Sequence, residues 1–566
     1  MVKRDTKTSG AATAAVSRRD MLKAGGLLGL GIAGAGALPA CAPKGAGGSK
    51  ASSAPRGGDD IAWDEEADVV VIGSGTGAYT AMRCANDGLD VIVLEKNSQA
   101  GGSTIFSSSV VWAPCNDLEK AEGIEDSREE ALTYIKALSG DTFLPEEAAA
   151  FVDNVNAAVK NAAQIAGIEW TIWPGGIDYS VFLPGGKKRG RAILPKVPEG
   201  DTPIGKLNKA IIEAAEALGA RFLTETPATQ FISRTTEDGA IEVLGVAARS
   251  GRKTINVRAR RAVVLASGGF DWNQAMMKNY LRTPARYSWG IATDDGDGQK
   301  MAMKLGADLR FMNEAFLSPG YKKEFQEAHE QGMSRLSTII RDDGKRGIVF
   351  VNKHGRRFTN ECATYDSVGR SFGGFENNGE NRSWANLPAW AIVDQAGADG
   401  HAFNGGELGK PGPSYTRYET LEALAEGCGI DKEGLLAQIA RFNEHAERGE
   451  DPDFGRGQDY YGQNSAYVSS GYEGAFRTLQ PISTPPFYAA EIVPVVLGTM
   501  GGIKTNAQAQ TVDMEGNVIE RLYAQGNVSG IGAGGACYVG GGGTLGPAIA
   551  YGEIAANQIH NLDSWA

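Results

Sequence analysis

Gly73, Gly75 and Ala78 stand in the order G-x-G-x-x-A within Gly73-Ser74-Gly75-Thr76-Gly77-Ala78, and Glu95 follows 22 residues after Gly73. Those residue types at that spacing can hold a dinucleotide. The first glycine permits a tight turn, the second lets backbone approach a pyrophosphate, and the alanine allows close helix–strand packing. Glu95 is placed to accept hydrogen bonds from a ribose. A glycine triplet alone is a weak signal, so the surrounding elements carry the argument. Asp68-Val-Val-Val-Ile72 predicts a strand, a helix-like segment ends near Gly88, and Asp90-Val-Ile-Val-Leu94 predicts a second strand closed by Glu95. The result is a βαβ unit whose helix begins at the phosphate site, where its positive N-terminal end favours an anion.

The 566 residues allow two or three domains. The 77 glycines cluster in short motifs without a repeat period, which fits tight turns and close backbone approaches, not a collagen or solenoid. A net charge of −12 argues against nucleic acid as a partner. The six cysteines (Cys41, Cys84, Cys115, Cys362, Cys428 and Cys537) form no CxxC pair, and the five histidines show no metal-ligand spacing. No metal is expected, and the cysteines read as ordinary buried thiols.

The N-terminus reads as an address. Ser17-Arg18-Arg19-Asp20-Met21-Leu22-Lys23 resembles a twin-arginine export motif, and the Gly-rich stretch from Ala24 to Ala40 is too short for a comfortable membrane span. Leu38-Pro39-Ala40-Cys41 resembles a lipobox, so lipidation of Cys41 and simple cleavage after Ala40 or Ala42 both stay open. Residues 1–42 are therefore expected to be a signal peptide and 43–60 a flexible linker. The expected location is the periplasm or cell envelope.

Glu95-Lys96 runs on through Gly101-Gly102-Ser103-Thr104 into Ser107–Ser109, and Ala262-Val-Val-Leu-Ala266 leads to Ser267-Gly268-Gly269. Near the C-terminus, Leu522-Tyr-Ala-Gln-Gly526-Asn527 precedes Gly540–Gly543, Thr544-Leu545-Gly546-Pro547 and a helix through about Ile559. These segments resemble the succinate dehydrogenase/fumarate reductase flavoprotein superfamily. The resemblance implies FAD, held by Gly73, Gly75, Gly77, Ala78, Glu95, Lys96, Gly101, Gly102, Ser103 and Thr104, by Gly268, Gly269, Gly526 and Asn527, and by Gly543, Thr544 and Leu545. Covalent members carry a His just after the Gly-Gly-Ser/Thr loop; Ile105 and Phe106 stand there, so noncovalent FAD is expected. The implied fold is α/β: a Rossmann-like FAD-binding domain in two pieces (61–311 and 497–566) with an inserted α+β capping domain (312–496). In this superfamily Asp294-Asp-Gly-Asp-Gly298, which looks like a metal loop, is a turn before a helix.

Fumarate reductases grip carboxylates with arginines, because a guanidinium matches a carboxylate bidentately. At the corresponding stretches this chain has Tyr538, in Cys537-Tyr538-Val539-Gly540, and Tyr365, after Asn360-Glu361. The tyrosines, with Val111-Trp112-Ala113-Pro114, Gly268-Gly-Phe-Asp271 and Arg357-Phe-Thr-Asn-Glu361, resemble the 3-ketosteroid Δ1-dehydrogenases. That resemblance implies that Tyr538 and the Gly542 N–H polarise a ring ketone, Tyr365 takes the proton of the neighbouring carbon, and Tyr179 supports Tyr365. A neutral phenol can donate to a ketone without charging an apolar pocket. The implied activity is FAD-dependent dehydrogenation beside a ring ketone of a steroid or similar hydrophobic enone, or the reverse reduction. A separate quinone or cytochrome would exchange electrons. The alternative is an exported fumarate- or urocanate-type reductase of a small unsaturated acid, for which Arg346, Arg356, Arg357 and Arg370 are candidate contacts.

Overall fold

The computed structural model describes residues 61–333, 344–378 and 381–565; the twin-arginine motif, the lipobox and the linker lie outside them. The first apolar run forms strand β1 (Glu65–Ile72), followed by helix α1 (Gly77–Asn86) and strand β2 (Val91–Leu94). β1 pairs in parallel with β2 on one side (Val69↔Val91) and with strand Lys253–Leu265 on the other (Val69↔Ala262). A central parallel strand is covered on both faces, so it reads as a continuous apolar run. Val69 and Val71 join one buried cluster, Val70 and Ile72 the opposite one. Burying one such side chain stabilises the sheet by about 1.5–3 kcal/mol.

The C-terminal segment returns to this sheet. Strand Val518–Ala524 lies parallel to Lys253–Leu265 (Leu522↔Val263, Ala524↔Leu265). Eight strands result, with an antiparallel meander of Ala228–Thr235, Ile241–Ser250 and Lys253–Leu265 at one side. α1 and the last helix share one buried cluster with Pro145–Ala166 on the same face. The expected α/β fold, with a flavin-type sheet drawn from both ends of the chain, is what the structure shows.

A second, six-stranded sheet is built on Phe487–Thr499, which pairs antiparallel with Ala315–Tyr321, Ala389–Asp394 and Thr416–Tyr418. Tyr287–Ser288 joins the same strand in parallel. So this sheet also takes in residues on the N-terminal side of 312, and its long strand runs on to Thr499. Three further helices matter for the site: α2 (Arg128–Ser139), α3 (Tyr365–Ser371) and α4 (Leu545–His560). Among the described residues no helix is long and apolar enough to cross a membrane.

Candidate active site

One cavity of about 380 Å³ joins the glycine fingerprint to the tyrosines. At one end its wall is Gly73, Gly75, Glu95 and Lys96; at the other it is Tyr179, Tyr365, Tyr538 and Gly542. Gly73 has φ +97°, and a Cβ there would stand 2.5 Å from the Ala266 carbonyl oxygen, so only glycine makes this turn. Gly102–Thr104, Gly268, Gly526, Asn527, Thr544 and Leu545 also line the cavity.

Other expected contacts lie behind the wall. A Cβ on Gly77 would meet Val71 and Ala266 at 2.8 Å, and Ala78 is buried beside it in α1, so both serve helix–strand packing. Gly101 donates its N–H to the Ser74 hydroxyl at 2.7 Å, and Gly269 is packed against Thr499. Gly543 lines a small neighbouring cavity instead. Glu95 is in the wall with both oxygens engaged, accepting from the Ser74 N–H at 3.0 Å and the Asn97 N–H at 2.8 Å. Oε2 also accepts from the Ser74 hydroxyl, so Oε1 is the oxygen that retains capacity for a further donor.

The site fits the flavin dinucleotide. α1 and α4 both begin at the cavity, and neither Thr76 nor Thr544 caps its helix with a side-chain hydrogen bond. Open helix N-termini offer N–H groups to phosphate or to negative charge on a ring. The Ser267 hydroxyl in the wall is buried and has no protein partner.

Three residues of the Asp294–Gly298 loop face the same cavity: Asp294, Asp297 and Gly298. Lys96 ties this loop down through Asp295 (2.9 Å) and Asp297 (2.8 Å). The Asp294 carboxyl accepts from the Ser103 hydroxyl at 2.7 Å; burial, with the Asp271 carboxylate nearby, holds its pKa well above the usual range. Sequence reasoning set this loop aside as a turn, and its acidic run was the available signal. No metal-ligating cluster occurs among the described residues.

Each tyrosine is placed by a different element. Tyr365 is the first residue of α3, whose N-terminus is capped by Thr364 accepting from the Ser367 N–H. The next residue, Asp366, accepts from the Leu317 N–H at 2.8 Å and from Arg370 at 2.8 Å, fastening α3 to strand Ala315–Tyr321. Phe316 of that strand packs against the Tyr538 ring, with centroids 4.6 Å apart. Tyr179 donates to the Tyr365 hydroxyl at 2.8 Å, and the Tyr365 and Tyr538 hydroxyls are 2.6 Å apart. Burial, then the neighbouring phenols, push the Tyr179 pKa well above that of an ordinary tyrosine.

Gly542 has φ +85°, and a Cβ would meet the Trp112 nitrogen and the Val110 oxygen at 2.6 Å. Its carbonyl accepts from the N–H groups of Trp112 and Gly546. Trp173, Trp289, Tyr467, Val110, Ile204 and Leu497 also line the cavity, and sequence reasoning singled out only Trp173 among them, as part of the Tyr179 segment.

Among the described residues, Lys96 is the only cation lining the cavity. Arg357 is buried against Glu361 (2.6 Å) and Asp451 (2.9 Å), and Arg370 pairs with Asp366 and Glu314. Arg346 stacks on Tyr472 at 3.6 Å, and Arg356 is exposed. None of the four arginine candidates lines the cavity. Among the described residues Cys84, Cys115, Cys362, Cys428 and Cys537 form no disulfide; Cys115 and Cys428 are only partly buried, and Cys41 lies outside the described residues.

The profile of the FAD binding domain family matches residues 68–545. A 3-oxosteroid 1-dehydrogenase of Mycolicibacterium smegmatis is 31% identical, over 88% of this chain and 97% of that protein. A 4-oxocyclohexanecarboxylate 2-dehydrogenase of Sinomonas cyclohexanicum is 30% identical, over 87% and 92%. The crystal structure of a 3-ketosteroid delta1-dehydrogenase from Sterolibacterium denitrificans, in complex with 1,4-androstadiene-3,17-dione, superposes with a TM-score of 0.79 at 26% identity, covering 88% of this chain and 99% of that one. The chain is thus an FAD-dependent oxidoreductase of the FAD-binding family, and it belongs there with the 3-oxosteroid 1-dehydrogenases.

Proposed function

We propose that this enzyme exchanges a hydride and a proton across the CH–CH bond beside a ring ketone, on a neutral steroid or a similar hydrophobic enone. One observation carries the reading: three phenols in a hydrogen-bonded chain close the end of a cavity that no described arginine lines. A carboxylate substrate buried there would lack a bidentate partner, and an unpaired buried charge is costly.

FAD supplies the hydride acceptor, or in reverse the donor. Gly73, Gly75 and the N-terminus of α1 would hold its pyrophosphate, and Glu95 its ribose. Gly102–Thr104 and Thr544–Leu545 would flank the flavin end. The Tyr538 hydroxyl and the Gly542 N–H would donate to the ketone oxygen, so that charge developing there as an enolate forms is stabilised. The Tyr365 oxygen would take the proton from the carbon next to the ketone. Tyr179, already donating to that oxygen, would stabilise Tyr365 as the phenolate it must be beforehand, and taking the proton would return Tyr365 to the neutral phenol. In the reduction direction the same groups return the proton to that carbon.

Electrons would pass to or from a separate quinone or cytochrome, since the sequence carries no CxxC or CxxCH motif for a cluster or haem of its own. The twin-arginine motif at 17–23 would export the folded, FAD-loaded enzyme, with Cys41 as a candidate lipid anchor. Replacing Arg18 and Arg19 by Lys should then hold the protein in the cytoplasm; unchanged fractionation removes the export reading.

The deciding experiment is anaerobic. Flavin in the purified enzyme is reduced, then mixed in turn with ketosteroid dienones, fumarate and urocanate while its absorbance is followed. Rapid reoxidation by the ketosteroid alone is the expected result. Reoxidation by an unsaturated acid alone replaces this reading with the small-acid reductase.

A further inference from the structure

The proposed chemistry needs Tyr179 and Tyr538 at a fixed separation, although they sit on loops far apart in the chain. Their backbones are stitched together directly: the Tyr179 N–H donates to the Val539 carbonyl at 3.2 Å, and Asp178 forms an antiparallel bridge with Gly540. A third residue joins both loops. The Tyr134 hydroxyl donates to the same Val539 carbonyl at 2.7 Å and accepts from the Ser180 N–H at 3.1 Å. One oxygen atom thus holds the residue after Tyr538 and the residue after Tyr179.

Tyr134 is well suited to act as a fixed point. It is fully buried in the middle of α2. The Tyr179 loop then lies flat on that helix: a Cβ on Gly185 would stand 2.2 Å from the Glu130 carbonyl oxygen and 3.0 Å from the Tyr134 nitrogen. Lys187 fastens the far side of the loop to Glu130 at 2.8 Å. Behind it, Asp178 accepts from Trp112 at 2.7 Å and pairs with Arg191 at 2.9 Å.

We propose that Tyr134 is a positioning residue for this reaction, using its hydroxyl to set the distance between the Tyr179–Tyr365 pair and the ketone-holding Tyr538. It touches neither substrate nor cofactor. Its effect comes from geometry, since a misplacement of about 1 Å at a reacting group can cost about 100-fold in rate. The inference rests on the roles proposed above for the three phenols.

The test is Tyr134→Phe in the full, FAD-loaded enzyme, which removes one oxygen and keeps the ring. The comparison is Tyr551→Phe, a buried phenol of the same cluster that donates to the Glu147 carbonyl at 2.6 Å. Tyr134→Phe should lower kcat about tenfold with KM and FAD content within twofold, and move the base limb of the kcat profile to higher pH. Tyr551→Phe should lower the melting temperature comparably and leave kcat alone. If Tyr134→Phe loses FAD, Asp178→Asn loosens the same loop one residue before Tyr179 and is read in the same way. An unchanged kcat and pH profile, or losses in both phenol variants that simply follow melting temperature, overturns the proposal. Tyr365→Phe run alongside separates the two levels: if it still turns over, the roles of the phenols fall, and if it is dead while Tyr134→Phe is normal, only the positioning role falls.

Discussion

The Tyr365 hydroxyl stands 2.6 Å from the Tyr538 hydroxyl, while Tyr179 donates to it from the other side at 2.8 Å. Tyr365 is therefore the middle member of a three-phenol chain. It belongs to the helix fastened to the second sheet through Asp366, whereas Tyr538 belongs to the loop that leads into α4. Under the proposed roles, a ketone bound between them would replace Tyr365 as the partner of the Tyr538 hydroxyl, while Tyr179 still donates to Tyr365.

Tyr365→Phe should retain FAD and lose turnover about 100-fold or more, the lower end of what a positioned general base contributes. Tyr538→Phe should cost at most the ~2.7–4 kcal/mol associated with one oxyanion donor. Steady-state kinetics on a ketosteroid, with flavin absorbance as the check on folding, compares the two. A Tyr365→Phe enzyme that works at the parental rate contradicts the assignment of the base.

Gly542→Ala should damage the fold and the site together. A Cβ there lies 2.6 Å from backbone atoms of Trp112 and Val110, which cannot swing aside as a flexible side chain can. The positive φ adds strain of at least about 1 kcal/mol for a non-glycine residue. Thermal melting and FAD content should both fall, and any folded fraction should show a raised ketone KM. Parental melting and KM in the Ala variant would mean that this loop relaxes freely.

The sheet was legible because it depends on local signals: an apolar run, a glycine turn and a second run closed by Glu95. Pairing of Leu522 with Val263 depends on a return of the chain from its far end, and only resemblance to known flavoproteins pointed to it. The tyrosines were found in the same way, since one phenol among 17 carries no mark of its partners. What stayed hidden was the work done from behind. The Tyr134 hydroxyl bonds to residues distant in sequence, and Asp294 lines the cavity on a loop that Lys96 and Ser103 hold from far away in the chain. Spacing cannot encode either relationship.

Lys96→Met should weaken FAD binding. Lys96 joins the two carboxylates of Asp295 and Asp297 at the dinucleotide end of the cavity, and without it they repel each other and any phosphate nearby. These pairs are partly exposed, so each contributes at most about 1 kcal/mol, and the expected loss is about tenfold or less. Titrating the apoprotein with FAD by fluorescence measures it directly. The defect should shrink at high salt, where repulsion is screened; a loss insensitive to salt would point to packing instead.

Glu119 makes stability depend on pH behind the Tyr179 loop. Burial first, then the Asp126 carboxylate, pushes its pKa up to about 8, and its Oε1 is buried without a partner. A carboxyl whose folded pKa lies above its unfolded value binds its proton more tightly in the folded state, so stability from this group is full below about pH 4.5 and is lost progressively as pH rises to about 8. Glu119→Gln keeps an oxygen acceptor for the Asn116 N–H and removes the titration. Its melting temperature relative to the parent should therefore rise between pH 5 and 8, by a few degrees, and level off above. A difference between the two proteins that is the same at pH 5 and pH 8 would mean that Glu119 is already ionised in the folded enzyme, with the Arg191 guanidinium stabilising its charge more than burial opposes it.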